Sequence, residues 1–219
     1  MVFSGLLMFI SARFSNPRRA HLIPFVLSRP VFFPIVAALF AAFLMVFAIG
    51  AGAQERRVAL VIGNSSYSNV PQLPNPANDA QDLAITLRRI GFEVSEAIDL
   101  DYRAMRIAVR DFSEQAENAD IALLYYAGHG IEIENTNYLI PVNAQLKRAA
   151  DVEFEALRLD AVLSSLAAPK GLKIVLIDAC RDNPFRVTMR QSGATRSVGR
   201  GLARIEPTGV VVGYAAKGG

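Results

Sequence analysis

Ile121-Ala122-Leu123-Leu124-Tyr125-Tyr126 runs straight into Ala127-Gly128-His129-Gly130, and further along Lys173-Ile174-Val175-Leu176-Ile177 runs into Asp178-Ala179-Cys180. An unbroken apolar run of this length, bounded by polar residues, is what a central strand buried on both faces requires. Working outward, short β-branched runs alternate with helical patterns. A first strand over 58–62 is closed by Gly63-Asn64, a polar, Pro-rich loop fills 65–76, and a helix is expected over 78–90. Its apolar positions Leu83, Ile85, Leu87 and Ile90 lie close to one face, and Gly91 stops it. A strand over 92–97 precedes a helix that starts at Asp101 and repeats Met105, Ala108, Val109 and Phe112 at steps of three and four. A hairpin is expected to pair 131–133 with 138–140 across 135–137, and a short helix to run from about Asp160 to Pro169. The last strand candidate is 209–214. This alternation predicts an α/β fold, a three-layer α/β/α sandwich around a mostly parallel sheet. A sheet that closes on its last apolar strand with no covering helix is read as C-terminally truncated.

The chain has 219 residues, enough for one ordinary α/β domain and an appendage. The stretch before position 30 holds Arg13, Arg18, Arg19 and Arg29 and no acid; an apolar run over 31–49 follows, and then Ala51-Gly52-Ala53. That is the grammar of an export signal, and the apolar run is also close to a full membrane span. Residues 1–53 are therefore read as an export signal or an N-terminal membrane anchor, and 54–219 as the catalytic domain, periplasmic or secreted. Setting those four arginines aside from the 23 basic residues leaves them one short of the 20 acids. The mature domain is near neutral, which removes the basis for a nucleic-acid partner. The remaining basic cluster, 186–204, is Gly- and Ser-rich and reads as a solvated loop, with arginines suited to self-cleavage.

Sites in open α/β sheets form beyond the carboxyl ends of the strands. His129 and Cys180 each lie three positions past an apolar run, so neighbouring strands would bring them together over one edge. A thiol becomes a useful nucleophile when an imidazole takes its proton, and a thioester then splits peptide hydrolysis into two easier steps. The N–H groups of Gly130 and Cys180 are the candidate oxyanion hole, because glycine lets backbone approach a substrate closely. The chain has a single cysteine, so no internal disulfide forms and a redox cycle has no resolving thiol. One His and one Cys at this spacing match no common zinc pattern, so no metal is assigned. Taken singly, Cys180 also reads as a packed small residue and His129 as a turn residue; their equivalent positions favour catalysis.

Tyr125-Tyr126-Ala127-Gly128-His129-Gly130 and Asp178-Ala179-Cys180-Arg181-Asp182-Asn183-Pro184-Phe185 resemble the His and Cys motifs of the caspase-like superfamily, peptidase C14 type, in its bacterial metacaspase-like branch. The stretches 59–64 and 73–80 are similar to that family's first strand and following loop, and the resemblance covers about 57–214. The 51-position His–Cys separation fits the spacing of about 50 in caspases. The resemblance implies a caspase-fold cysteine endopeptidase with a Cys180–His129 dyad, acting on peptide or protein substrates without an organic cofactor. Calcium dependence and oligomeric state are not readable from the sequence. It also implies cleavage after Arg or Lys, with Asp79 and Asp178 as the acidic S1 residues. Two carboxylates near the nucleophile would welcome a guanidinium and repel an aspartate. Asp79 reads equally as a charge beside a helix N-terminus, and Asp178 as a residue orienting the Cys loop. Arg181-Asp182-Asn183-Pro184 departs from a caspase's Arg-Gly after the nucleophile. The alternative function is a catalytically weak caspase-fold module that binds or regulates partners.

Overall fold

The computed structural model describes Phe40, 55–166, 170–180, 184–185, 189, 202–203 and 208–215. The chain divides into two units, 1–52 and 53–219. The expectations for the leader, and for most of the 186–204 stretch, lie outside the described residues. Among the described residues, no helix is long and apolar enough to cross a membrane.

Among the described residues, five strands form the parallel sheet expected of the alternating pattern. These are β1 (Arg57–Gly63), β2 (Glu93–Ile98), β3 (Ile121–Ile133), β6 (Leu172–Cys180) and β7 (Val211–Tyr214). They lie in the order β2-β1-β3-β6-β7 with every pairing parallel. Two short strands, β4 (Thr136–Leu139) and β5 (Leu157–Arg158), extend it antiparallel from the far half of β3. Helix α1 (Pro76–Arg89) covers one face, packing Ala80, Ala84 and Leu87 against Ala59, Val61, Leu123 and Tyr125. Helix α2 (Tyr102–Glu117) and, after the single turn α3 (Val152–Glu155), helix α4 (Leu159–Leu166) cover the other. There Met105, Val109, Phe112, Leu159 and Val162 meet Val58, Leu60, Leu124, Val175 and Ile177. Strict side-chain alternation along β1 and β3 sends successive residues into the two cores, which makes the fold a three-layer α/β/α sandwich.

Local chemistry sets the element ends. Asp101 caps α2 by accepting from Ala104 N–H at 2.7 Å. Helix α1 starts with Pro76 in its first turn, where the missing N–H costs nothing. It begins so close to the end of β1 that a Cβ on Gly63 would stand 2.4 Å from Pro76 O and 2.7 Å from Ala80 Cβ. Only glycine fits there.

Two strands run further than their apolar content suggests. Strand β3 does not end at Tyr126 but runs on to Ile133, thirteen residues in all, exchanging β1 for β4 as its neighbour on one side. Strand β6 likewise continues through Cys180. His129 and Cys180 are thus strand residues rather than loop residues: main-chain pairing, which needs no apolar side chain, carries the ladder past the hydrophobic run. The hairpin also differs by its turn. Ile133 pairs with Thr136, leaving Glu134 and Asn135 as a two-residue loop with φ of 50° and 64°. Positive φ at both central positions is the type I′ geometry that matches strand twist. Around this hairpin Ile131, Ile133, Tyr138 and Ile140 join Tyr67, Val152 and Phe185 in a second, smaller core.

Candidate active site

The β3–β6 register ends on the pair His129↔Cys180, after Tyr125↔Leu176 and Ala127↔Asp178. Partner Cα positions on adjacent strands are separated by about 5 Å. The two candidate catalytic residues therefore meet at the carboxyl ends of neighbouring parallel strands. On β3, the two-residue period puts Tyr125, Ala127 and His129 on the face that α1 covers.

His129 is 5% exposed. Its Nε2 lies 3.3 Å from the carbonyl oxygen of Pro71. A carbonyl only accepts, so Nε2 carries the proton and Nδ1 is left as the basic nitrogen. Nδ1 is buried and has no hydrogen-bond partner among the described residues. Burial pushes the imidazole below its usual range, and the Pro71 carbonyl opposes this in part. The Tyr67 ring lies against the imidazole, centroids 4.4 Å apart and tilted by 54°. The carbonyl of Pro71 and the ring of Tyr67 both come from the loop after β1. Asp99 fastens that loop by accepting from Ser65 N–H at 2.7 Å, Ser66 N–H at 2.9 Å and Ser66 Oγ at 2.6 Å.

Of the two expected acidic residues, Asp178 is partly buried, with Oδ2 3.4 Å from Tyr125 Oη. Asp79 lies in the first turn of α1. Burial raises the Tyr125 phenol strongly, and the charges of Asp178 and Asp79 raise it further. Both carboxylates are therefore close to the same phenol, two residues before Ala127 and four before His129. Gly130 sits one residue past His129. In the antiparallel ladder its N–H points away from β4, towards the β6 side, because Ile140 N–H bonds His129 O at 3.1 Å and successive residues alternate in direction. A Cβ on Gly130 would meet the Leu202 side chain at 2.9 Å. The neighbouring Ala203 is pinned from both sides by Asn137: Nδ2 donates to Ala203 O at 2.6 Å, and Oδ1 accepts from Ala203 N–H at 2.7 Å. No group of three or more metal-ligating side chains occurs among the described residues.

Two contributors escaped the sequence reading. The Pro71 carbonyl has no side-chain signature at all. Tyr67 stands in a polar loop that reads as a connection, and only its aromatic character among Ser and Asn hints at burial.

A parallel α/β sheet with a histidine and a cysteine paired at adjacent strand ends defines a class of cysteine hydrolases. The model of the caspase domain matches residues 56–217, and the chain belongs to that family of cysteine peptidases. It is 34% identical over 126 residues to the human mucosa-associated lymphoid tissue lymphoma translocation protein 1, which covers 57% of this chain and 15% of that protein. Over 133 residues it is 29% identical to caspase b of Danio rerio, covering 59% of this chain and 32% of the relative. Over 139 residues it is 28% identical to cell death protein 3 of Caenorhabditis remanei, covering 60% and 25%. The chain spans no more than about a third of the length of these relatives.

Proposed function

We propose that this chain is an exported cysteine endopeptidase of the metacaspase-like kind that cleaves after Arg or Lys, with Cys180 as nucleophile and His129 as base. The pairing of His129 with Cys180 in the last rung of the β3–β6 ladder carries the proposal. His129 Nδ1 takes the thiol proton, and the Cys180 sulfur attacks the scissile carbonyl, forming a C–S bond as the carbonyl π pair moves to oxygen. The N–H groups of Gly130 and Cys180, at the carboxyl end of the β3–β6 ladder, are assigned to the oxyanion, which requires their release from ladder pairing when substrate binds. As the C–N bond breaks, the imidazolium returns its proton to the departing amine. Water then adds to the thioester with His129 again as base, and the acid product leaves with the thiol restored.

Asp79 and Asp178 support the basic P1 preference, since both act on Tyr125 on the His129 side of the sheet. A substrate guanidinium would gain charge-assisted hydrogen bonds there, while an aspartate would meet like charge. The arginines without acids before position 30 and the apolar run over 31–49 support export, by a cleaved signal or a retained anchor.

The test is hydrolysis of matched fluorogenic peptides ending in Arg, Lys or Asp by the full chain, with Cys180→Ala alongside. Cleavage after Arg or Lys, absent in the variant, is expected. Cleavage after Asp overturns the pocket assignment, and no cleavage by folded protein turns the reading to a binding module.

A further inference from the structure

One position beyond the Gly130↔Leu139 end of the β3–β4 ladder, the antiparallel bonding pattern is broken on one side. His129 and Ile140 stand opposite each other, and Ile140 N–H donates to His129 O as a paired rung requires. The reciprocal bond, from His129 N–H to Ile140 O, is replaced. His129 N–H instead donates to Tyr67 Oη at 2.8 Å, and Tyr67 Oη donates on to Ile140 O at 3.2 Å. A phenol hydroxyl is thus inserted into the ladder. A second phenol, Tyr126, donates to His129 O at 2.7 Å and lies 3.4 Å from Tyr67 Oη. Space for the two hydroxyls exists because residue 128 is glycine: a Cβ there would stand 2.6 Å from Tyr67 Oη and 2.7 Å from Tyr126 Oη.

We propose that Tyr67 is a positioning residue for His129, its hydroxyl fixing the strand at that residue and its ring fixing the imidazole. The inference rests on the reading of His129 as the base. The hydroxyl replaces a fixed carbonyl with a donor–acceptor group on a side chain, which moves the His129 backbone off the position a regular ladder would give it. The ring, 4.4 Å from the imidazole, keeps water from one of its faces and leaves Nε2 to the Pro71 carbonyl. Tyr67 is itself 3% exposed and packed in the hairpin core, so the hydroxyl is delivered by a rigid support. Among the described residues, Tyr67 and Tyr126 bond the His129 backbone, position 180 lies across the register, and Tyr125 with Asp178 and Asp79 lies on the same side of the sheet.

Two variants of the full chain separate the two roles. Tyr67→Phe keeps the ring and removes the hydroxyl; kcat for an Arg peptide should fall about tenfold or more with KM little changed, because the misplacement falls on the base rather than on the binding pocket. Tyr67→Leu removes the ring. The His129 imidazole, followed by NMR in the Cys180→Ala background and told apart from His21 by a His21→Ala control, should then titrate closer to 6.5 than in the parent, and in Tyr67→Phe it should not. Unchanged kcat in Tyr67→Phe together with an unchanged His129 titration in Tyr67→Leu would overturn the proposal while leaving the peptidase reading intact. If the parent shows no peptidase activity, that reading fails by itself and the titration alone decides: a shift in Tyr67→Leu supports the positioning role, and its absence overturns it. If Tyr67→Leu does not fold, the kcat of Tyr67→Phe decides.

Discussion

Nδ1 of His129 is a buried base whose ring partner is a main-chain oxygen rather than a carboxylate, and this sets how the site should respond to acid. A carboxylate partner would stabilise the imidazolium; a carbonyl does so less, and burial wins. His129 in the folded protein therefore stays unprotonated to a pH below the ordinary value of about 6.5. Followed downwards from pH 8, kcat/KM on an Arg peptide should hold past that value and fall only at more acidic pH. A midpoint above it would contradict the burial argument. The pocket makes a second expectation at the same scale. If Asp178 lines the proposed pocket, Asp178→Asn removes a charge that would face a substrate guanidinium and should lower kcat/KM for Arg peptides about 10- to 100-fold, mostly through KM. Equal losses on Arg and on uncharged P1 peptides would show Asp178 to serve the Cys loop instead.

Among the elements, the loop after β1 matters more than its composition suggests, because it brings both the Pro71 carbonyl and Tyr67 to His129. Asp99 holds it from the end of β2, in a left-handed conformation at φ 55°. Burial alone would raise this carboxyl, but hydrogen bonds from the Ser66 side chain and from the Ser66 and Ser65 backbones bring it below its usual value. A depressed carboxylate stabilises the fold above the unfolded-state value of about 3.9, and that contribution is lost as pH falls through the lower folded value. Asp99→Asn tolerates the same backbone conformation and cannot titrate. Urea unfolding between pH 5 and 2.5 should show a shallower acid loss in the variant than in the parent; parallel curves would mean that Asp99 adds no pH dependence.

The same elements show what the sequence made legible. Apolar runs gave β1, the first half of β3 and most of β6, and helical periodicity gave α2; α1 stands where expected, but of its anticipated apolar face Ile85 and Ile90 are exposed, and Ala80, Ala84 and Leu87 form the buried side. The meeting of His129 with Cys180 followed from two equivalent strand ends, and their adjacency needed only that β3 and β6 be neighbours. What escaped was held by the main chain. The continuation of β3 past Tyr126 and the Pro71 contact leave no trace in side-chain chemistry. The Glu134–Asn135 turn lies one position earlier than the expected loop, because glutamate seldom marks a left-handed position. Lys173 reads as the polar start of a strand, yet it is 1% exposed and donates to Ala116 O at 2.6 Å, closing the C-terminal end of α2 from 57 positions away.

At the scale of the whole molecule, the segment after Cys180 returns to the body at several points: Phe185 enters the hairpin core, and further on Asn137 holds Ala203 while β7 pairs with β6. Asn137 is 3% exposed and its amide satisfies both backbone polar groups of Ala203, so these bonds are sheltered from competing water. Were the arginine-rich stretch before Leu202 severed, the downstream piece would stay stapled in place. Limited trypsin treatment should give two bands on a denaturing gel and a single native peak of unchanged size. Asn137→Ala should let the smaller piece separate, and a nicked parent that already falls apart would show that the staple carries too little. A break in the covalent chain would then be silent in the assembled particle, making continuity of the polypeptide and integrity of the machine two different properties.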